Sequence, residues 1–207
     1  MSARTDALWA KQNVHPGARE SMFAAAAEHL GQQRVLYVGS YVDVAASFVF
    51  DDVTYFDMDA RAEKFFGDRD GVEAIIAANR DDAEHARFDF FRGDYTKPAD
   101  RPKGSFDLLV SLYAGFISEH CTDLLRSGGH LLTNNSHGDA SMASLDPRYD
   151  LAAVIVTRGD RHVLSTNDLD TYLEPKKGDP PTVESLHASQ RGVAYTKSPF
   201  IYVFQKR

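Results

Sequence analysis

An apolar run that ends in one glycine narrows the range of folds open to this chain. Residues 34–38 read Arg-Val-Leu-Tyr-Val, and Gly39 follows them directly. A second apolar segment covers 53–56, and Asp57 closes it. A buried strand, a tight turn and a second strand ending in a carboxylate are typical of the start of a parallel α/β sheet. The pattern therefore predicts a ligand pocket at the carboxyl ends of these two strands.

Helix and strand patterns alternate along the next hundred residues or so. A leading helix is expected at about 17–30, stopped by Gly31. The further strands are predicted at 88–91, 106–111 and 130–134. A short helix of about two turns is predicted within 40–52, and a second helix, capped by Asp59, at 60–66. A third helix is predicted at 72–86, with Arg80 on its polar face. A fourth is predicted at 117–126, where Gly128 and Gly129 would stop it. A polar loop is expected at 98–104. This order predicts a three-layer, doubly wound, mostly parallel sheet of the Rossmann-like type.

The last third of the chain has a different pattern. Residues 149–157 are apolar and fit either a strand or a helix, 168–173 fit a short helix and 175–181 a loop. The segment 192–205 divides at Lys197-Ser-Pro into two β-rich halves, which predicts an antiparallel hairpin at or near the sheet edge. The expected organisation is a single domain over 1–207, with a core at 34–135 and a variable cap or lid at 136–190.

Composition excludes several classes of function. The chain has 207 residues, 43% of them hydrophobic, and a net charge of −7. This size and composition suit one buried core. The acidic balance argues against broad binding to nucleic acid or to an anionic membrane, and favours a small-molecule partner. No apolar run approaches the roughly 20 residues that span a bilayer, and no secretory signal pattern opens the chain, so a cytoplasmic location is expected.

Cysteine and histidine are placed without a metal-binding pattern. Cys121 stands alone, so neither a disulfide framework nor a cysteine zinc site is expected. Four histidines, at 120, 130, 162 and 187, lie far apart in the sequence. The spacing predicts no metal centre.

The order of elements resembles the class I S-adenosylmethionine-dependent methyltransferases over roughly 18–134. Gly39 matches the first glycine of that family's glycine-rich turn, Asp57 the acid that binds the ribose hydroxyls, and Asp94 the acid that accepts the adenine amino group. Met58 would pack on adenine. The segments 106–113 and 124–132 match the strand, helix and strand that floor the pocket. The resemblance implies S-adenosylmethionine as cofactor and these binding residues: Gly39, Ser40, Tyr41, Asp43, Asp57, Met58, Asp94, Tyr95 and Ser111.

The glycine-rich turn departs from the family pattern in three places. Tyr37 stands where the family has an acid, and Tyr41 and Asp43 replace later glycines. Two outcomes follow from this. Either Asp43 turns inward to contact the cofactor's amino group while Ser40 and Tyr41 line its methionine tail, or side chains partly close the pocket.

Methyl transfer needs an acceptor held in line and little else from the protein. His137 and Tyr113 are the candidates for a catalytic group, because both should lie at the carboxyl ends of strands. Ser111-Leu-Tyr-Ala-Gly115 stands where enzymes that methylate nucleic-acid amino groups carry an Asn/Asp-Pro-Pro-aromatic motif. The hypotheses are a small-molecule methyltransferase, a methyltransferase-like binding protein with a remodelled pocket, and a nicotinamide-dependent oxidoreductase based on the generic sheet alone.

Overall fold

The computed structural model describes residues 3–31, 33–97 and 101–207. One eight-stranded sheet runs through the described chain in the order β3-β2-β1-β4-β5-β8-β6-β7. The strands are β1 (Arg34–Val38), β2 (Asp52–Asp57), β3 (Arg87–Arg92), β4 (Phe106–Ser111), β5 (Leu125–Thr133), β6 (Tyr149–Arg158), β7 (Arg161–Ser165) and β8 (Ile201–Lys206). The first five pair in parallel, and the last three pair antiparallel.

Helices cover both faces of the sheet. They are α1 (Ala3–Gln12), α2 (Ala18–Leu30), α3 (Ala60–Gly67), α4 (Arg69–Ala77), α5 (Ile117–Cys121), α6 (Asp139–Leu145) and α7 (Val183–Ser189). Single 3₁₀ turns lie at Ala45–Phe48, Ala83–His85, Thr122–Leu124 and Leu169–Tyr172. One core holds side chains of α2, α3 and α4 against alternate residues of the central strands, and a second holds α5 and α6 against the other residues. The predicted three-layer, mostly parallel sheet with antiparallel C-terminal strands is confirmed.

The predictions for β1 and β4 match the observed bounds, because their apolar side chains are buried almost without interruption. Asp59 caps α3 as predicted, its side chain accepting a hydrogen bond from the Arg61 amide. Between β1 and β2 the chain makes only the 3₁₀ turn at Ala45–Phe48 rather than two helical turns. These elements bring the turn after β1 directly beside the end of β2.

The helix predicted at 72–86 was wrong at both ends. α4 begins earlier because the Asp68 side chain caps it, accepting a hydrogen bond from the Gly71 amide. It ends near Ala77, where the Asn79 side chain donates to the Ile75 carbonyl at 2.8 Å and so satisfies a terminal acceptor. Arg80, predicted on the polar face, is buried instead.

The helix predicted at 117–126 was too long. α5 stops at Cys121, and the chain enters β5 at Leu125, where it pairs with Phe106 beside a register shift. The glycines expected to stop the helix therefore lie within a strand. At Gly129 a side chain would meet the Asp107 carbonyl oxygen at 2.8 Å, so close packing inside the sheet explains this glycine.

The antiparallel strands differ in detail from the hairpin predicted at 192–205. Only β8 is a strand there, and it lies between β5 and β6. The first half contributes one bridge, from Tyr195 to Pro175. The segment 149–157 is a strand, and its hairpin partner is β7. The sequence reasoning did not predict α1, α6, α7 or β7. The short helix predicted at 168–173 is present as a 3₁₀ turn.

Part of the loop predicted at 98–104 lies outside the described residues. In the described ranges, no helix has the length and apolar character needed to cross a membrane.

Candidate functional site

The carboxyl ends of the parallel strands bring three turns together. The turn after β1 covers 39–43, the turn after β2 begins at Asp57, and the loop after β4 covers 112–116. The Gly39 amide donates to the Phe56 carbonyl at 2.8 Å, which fixes the first turn against β2. Ala114 of the third segment lies against Gly39. Ligands of open α/β sheets bind at this edge, so these turns form the candidate site.

Gly39 is a glycine for two physical reasons. Its φ of +67° lies in the left-handed region, which side chains disfavour. A Cβ at this position would overlap the Cβ of Ala114. The close approach of the β4 loop therefore requires a glycine here, whatever else the turn binds.

Tyr41 has a left-handed backbone conformation, which glycine adopts more readily than other residues. Its φ is +51°, and its amide donates to Asp57 Oδ2 at 2.7 Å. The phenol ring is partly buried and stacks beneath the guanidinium of Arg61, whose Cζ lies 5.0 Å from the ring centroid. The tyrosine thus preserves the geometry of the turn, at a backbone cost of about 1–2 kcal/mol for a left-handed residue.

Asp57 organises the turn and keeps part of its hydrogen-bonding capacity. Oδ2 accepts the Tyr41 amide, and Oδ1 accepts the Asp59 amide at 2.7 Å. A carboxylate has about four lone-pair sites, so further hydrogen bonds can be accepted from outside. Met58 beside it is 59% exposed. The pair presents a hydrogen-bond acceptor and an apolar surface to solvent at the same strand end.

Asp43 turns into the protein. Its Oδ2 accepts a hydrogen bond from the Tyr37 hydroxyl at 2.9 Å and lies 3.6 Å from Arg19 Nε, while Oδ1 accepts the Ala45 amide at 3.1 Å. Burial raises the pKa of the Asp43 carboxyl, and Arg19 opposes that rise. Tyr37, at the family's acid position, is likewise fully buried. Two of the three side chains that depart from the family pattern, Tyr37 and Asp43, thus serve an internal network, and Asp43 is 2% exposed.

Arg19 is a site residue that the sequence reasoning missed. It is the second residue of α2, and its Cζ lies 5.3 Å from the centroid of the Tyr113 ring. Its Nη1 atom is buried and has no hydrogen-bond partner among the described residues. The pattern of α2 predicts a helix, but nothing local in it shows that this helix begins over the ends of β1 and β4.

Asp94 and Tyr95 follow β3, which is parallel to β2, so they lie at the same edge of the sheet as Asp57. Asp94 Oδ1 accepts hydrogen bonds from the Thr96 hydroxyl at 2.7 Å and from the Thr96 amide at 3.0 Å. The Thr96 hydroxyl, followed by its amide, holds the pKa of Asp94 below its usual value. The Tyr95 hydroxyl packs against Gly115 of the β4 loop. Asp94 is thus held in its own turn, with Lys97 3.7 Å from its second oxygen.

Ser40 and Ser111 are both buried. The Ser40 carbonyl accepts the Asp43 amide at 3.0 Å, so Ser40 stabilises the turn. Ser111 Oγ has no partner within hydrogen-bond distance in the described chain, although it lies close enough to Asp139 to lower that group's pKa. Ser111 therefore lies beneath the site rather than on its surface.

Asp139 is a second residue that the sequence reasoning did not single out. Its Oδ1 accepts the Ser118 amide at 2.9 Å and the Ser118 hydroxyl at 2.6 Å, and its Oδ2 accepts the Thr133 hydroxyl at 3.2 Å. Burial raises the pKa of this carboxyl, and its hydroxyl partners oppose the rise. The network joins the ends of β4 and β5 to α5 and α6.

Tyr113 lies at the mouth of a cavity of about 360 Å³. Its φ is +62°, and it is 53% exposed. The cavity is lined by uncharged side chains, namely Tyr113, Asn134, Asn135, Ser136, Val193, Ser198, Pro199, Phe200 and Tyr202. His137 is exposed on the same loop after β5. The structure thus brings Tyr113 and the residues preceding His137 together, while a larger cavity of about 510 Å³ lies away from this edge, between α6 and β6.

Potential metal ligands are dispersed. Throughout 3–31, 33–97 and 101–207, no three His, Cys, Asp or Glu side chains converge on a point that could hold a metal ion. Cys121 is a free, buried thiol.

Comparison with known proteins identifies the fold. No protein-family model and no curated protein sequence matches the chain. Among solved structures, the chain is similar to an O-methyltransferase from Bacillus cereus in complex with S-adenosylhomocysteine, with a TM-score of 0.50 and 12% identity over 79% of this chain and 89% of the other. It is also similar to a proposed O-methyltransferase from Klebsiella pneumoniae, with a TM-score of 0.50 and 13% identity over 79% of this chain and 88% of the other. The fold is that of the class I methyltransferases, as the resemblance implied.

Proposed function

We propose that this chain is an S-adenosylmethionine-dependent methyltransferase that acts on a small molecule. The observation that carries the proposal is the turn after β1. It keeps left-handed backbone at Gly39 and Tyr41 and is hydrogen-bonded to the carboxylate that ends β2. A turn that retains this geometry without the usual glycines supports a retained ligand site.

The side chains and backbone at this edge offer the kinds of contact that the cofactor would need. Asp57 would accept the ribose hydroxyls on its free lone pairs, since charge-assisted hydrogen bonds are the stronger kind. Met58 would pack against adenine, with Asp94 and Tyr95 beside it. The backbone of Gly39, Ser40 and Tyr41 would border the methionine portion. Asp43 would act through Arg19, because its carboxylate is buried and turned into the protein.

The cofactor supplies an electrophilic methyl group on a sulfonium, and the chain supplies position. The cavity beside Tyr113 would hold the acceptor, and its uncharged lining favours an acceptor without a strong net charge. The Tyr113 hydroxyl and the exposed His137 are the candidate groups to receive the acceptor's proton. The cytoplasmic location, the small-molecule acceptor and these two roles stay predictions.

Calorimetry with S-adenosylhomocysteine tests the cofactor site. We expect the wild type to bind, and Met58→Ala to weaken binding about fivefold, because about 1 kcal/mol of apolar contact is lost. Val14→Ala is the matched control, since Val14 is an exposed apolar residue of the N-terminal segment. Absence of binding by the wild type, or equal affinity of Met58→Ala and wild type, would contradict the proposal. Asp57→Ala is a less clear test because Asp57 also holds two backbone amides.

One observation favours a binding protein without catalysis. Ala114 packs against Gly39, so one side of the turn is covered by the β4 loop. Incubation with labelled S-adenosylmethionine and a panel of hydroxylated and amino acceptors separates the two functions. Transfer of label to any acceptor rules out the non-catalytic function, whereas binding of the cofactor without transfer across the panel favours it.

A further inference from the structure

The guanidinium of Arg19 has an unsatisfied donor at the edge of the candidate site. Nη1 is buried and lacks a hydrogen-bond partner in the described chain, although a guanidinium can donate five hydrogen bonds. A buried charged donor without an acceptor is costly, so such groups in native proteins usually have a partner. This donor points to a ligand acceptor.

The neighbours of Arg19 cannot supply that acceptor. Asp43 lies 3.6 Å from Nε, and neither of its oxygens is within hydrogen-bond distance of Nη1. The face of the Tyr113 ring attracts the cation, but it carries no oxygen that could accept a hydrogen bond from Nη1. Asp43 therefore balances part of the charge of Arg19 and leaves Nη1 without a bond.

The position of Arg19 specifies where the ligand group would lie. The side chain contacts Asp43 of the turn 39–43 on one side and Tyr113, just after β4, on the other. The Arg19 side chain is 27% exposed, but Nη1 itself is buried, so a ligand would reach this donor by displacing the exposed ring of Tyr113. Arginine's planar fork matches the two oxygens of a carboxylate, which favours a carboxylate over a neutral acceptor.

We infer that Arg19 binds the carboxylate of the cofactor's amino-acid portion, with Asp43 holding the guanidinium in place. This inference rests on the proposed function. Asp57 would then bind one end of the ligand and Arg19 the other. The turn 39–43 would connect them, since Tyr41 contacts Asp57 and Asp43 contacts Arg19.

Two ligands separate the role of Arg19 from binding of the nucleoside. S-adenosylhomocysteine carries the amino-acid portion, and 5′-methylthioadenosine lacks it. We expect Arg19→Gln to weaken binding of S-adenosylhomocysteine more than about tenfold and to leave the affinity for 5′-methylthioadenosine unchanged. Arg19→Lys should recover part of the loss, because it keeps the charge without the fork.

Controls separate a binding role from a structural one. Arg61→Gln is the matched control, because Arg61 also stacks on a tyrosine of this edge, and it should leave the ratio of the two affinities unchanged. The double variant Arg19→Gln/Asp43→Asn removes the buried charge that the single variant leaves behind, and it should show the same selective loss.

The outcomes of this experiment are distinct. A wild type that binds neither ligand overturns both the proposed function and this inference. Retained affinity of Arg19→Gln for S-adenosylhomocysteine, or an equal loss for both ligands in the single and double variants, overturns the inference alone.

Discussion

At the scale of single residues, the turn 39–43 shows how one left-handed position tolerates a side chain and another does not. Gly39 and Tyr41 both have positive φ. At Tyr41 the side chain extends toward Arg61 and finds space, whereas at Gly39 the space for a Cβ is taken by Ala114. Packing by the β4 loop, more than backbone conformation, therefore determines which glycine of the turn must stay.

A double-mutant cycle tests this steric explanation. We expect Gly39→Ala to lower the free energy of unfolding by about 2–4 kcal/mol, combining left-handed strain with overlap on Ala114. Ala114→Gly should restore part of the loss in the double variant, because it removes the overlapping Cβ and leaves only the strain. Urea denaturation gives the coupling free energy. Strict additivity of the two substitutions would show that the overlap is relieved by loop movement.

Asp139 should make stability depend on pH. Burial raises its pKa above the model-peptide value of 3.8, so the folded state binds its proton more readily than the unfolded state. The stability from this group is fully present below pH 3.8 and is lost as pH rises through the folded pKa. We therefore expect the wild type to lose stability relative to Asp139→Asn as pH rises from about 4 to neutrality.

The comparison with Asp139→Asn isolates this carboxyl from the other acids. Asp59, Asp107 and Asp146 have lowered pKa values and give the opposite pH dependence, which cancels in the difference between the two proteins. The asparagine can still accept from Ser118 and can donate to Thr133. Urea unfolding at several pH values measures the difference, and a difference constant from pH 4 to 7 would contradict the assigned pKa direction.

At the scale of elements, Arg80 ties the segment after α4 to the connection between β1 and β2. Nη1 donates to the Phe50 carbonyl at 2.9 Å and to the Ser47 carbonyl at 3.3 Å, and the guanidinium also pairs with Asp51 and Asp82. Because the connection has just one 3₁₀ turn, its free carbonyls need such a donor. One arginine thus replaces part of the helical hydrogen bonding that a longer connection would have.

Removal of Arg80 should destabilise the fold without changing the site directly. We expect Arg80→Ala to lower the free energy of unfolding by about 2–4 kcal/mol, since buried carbonyls lose a charged donor. Arg80→Lys should be intermediate, because an ammonium cannot bridge the same carbonyls and carboxylates. Arg87→Ala, at an exposed arginine of β3, is the control and should change stability by less than about 0.5 kcal/mol. If Arg80→Ala lowers the free energy of unfolding no more than Arg87→Ala does, water replaces the hydrogen bonds of the guanidinium.

The elements also show what local pattern can predict. β1, β4 and the capped α3 were predictable, because burial on both faces and a capping aspartate leave their mark within the segment itself. Gly128 and Gly129 were misleading as a helix stop. Gly129 is required by close packing across β4 and β5, and Gly128 has a left-handed φ of +73° within the strand, and neither reason can be read from the local sequence. The same limit applies to the site. Asp57, Met58 and Asp94 follow strands and could be placed, whereas the partnership of Arg19 with Asp43 depends on how α2 packs.

At the scale of the whole molecule, β8 joins two parts of the sheet that the sequence separates. It pairs with β5 on one side and with β6 on the other, and Ile201, Tyr202, Val203 and Phe204 are all buried. Its side chains divide between the two cores, with Val203 in one and Phe204 in the other. The antiparallel strands therefore share their core with the parallel strands, and the described chain should unfold as one cooperative unit.

Val203→Ala tests this cooperativity from a distance. Val203 lies between Leu132 and Ala153 in the sheet. Trp9 lies on α1, and its ring packs against that of Phe48 at a centroid distance of 5.7 Å. The chain has one tryptophan, so fluorescence reports that region alone. We expect Val203→Ala to lower the free energy of unfolding by about 1–3 kcal/mol, with the fluorescence and circular-dichroism midpoints falling together.

The exposed neighbour Gln205 provides the control, because Gln205→Ala leaves both cores intact and should shift neither midpoint by a measurable amount. Separation of the two transitions in Val203→Ala, with fluorescence unchanged and circular dichroism shifted, would mean that the antiparallel strands unfold as a separate unit. Coincident fluorescence and circular-dichroism transitions would have a consequence for the candidate site. Because β5 carries the loop that lines the cavity beside Tyr113, a single transition would mean that the cavity is lost only when the whole sheet unfolds.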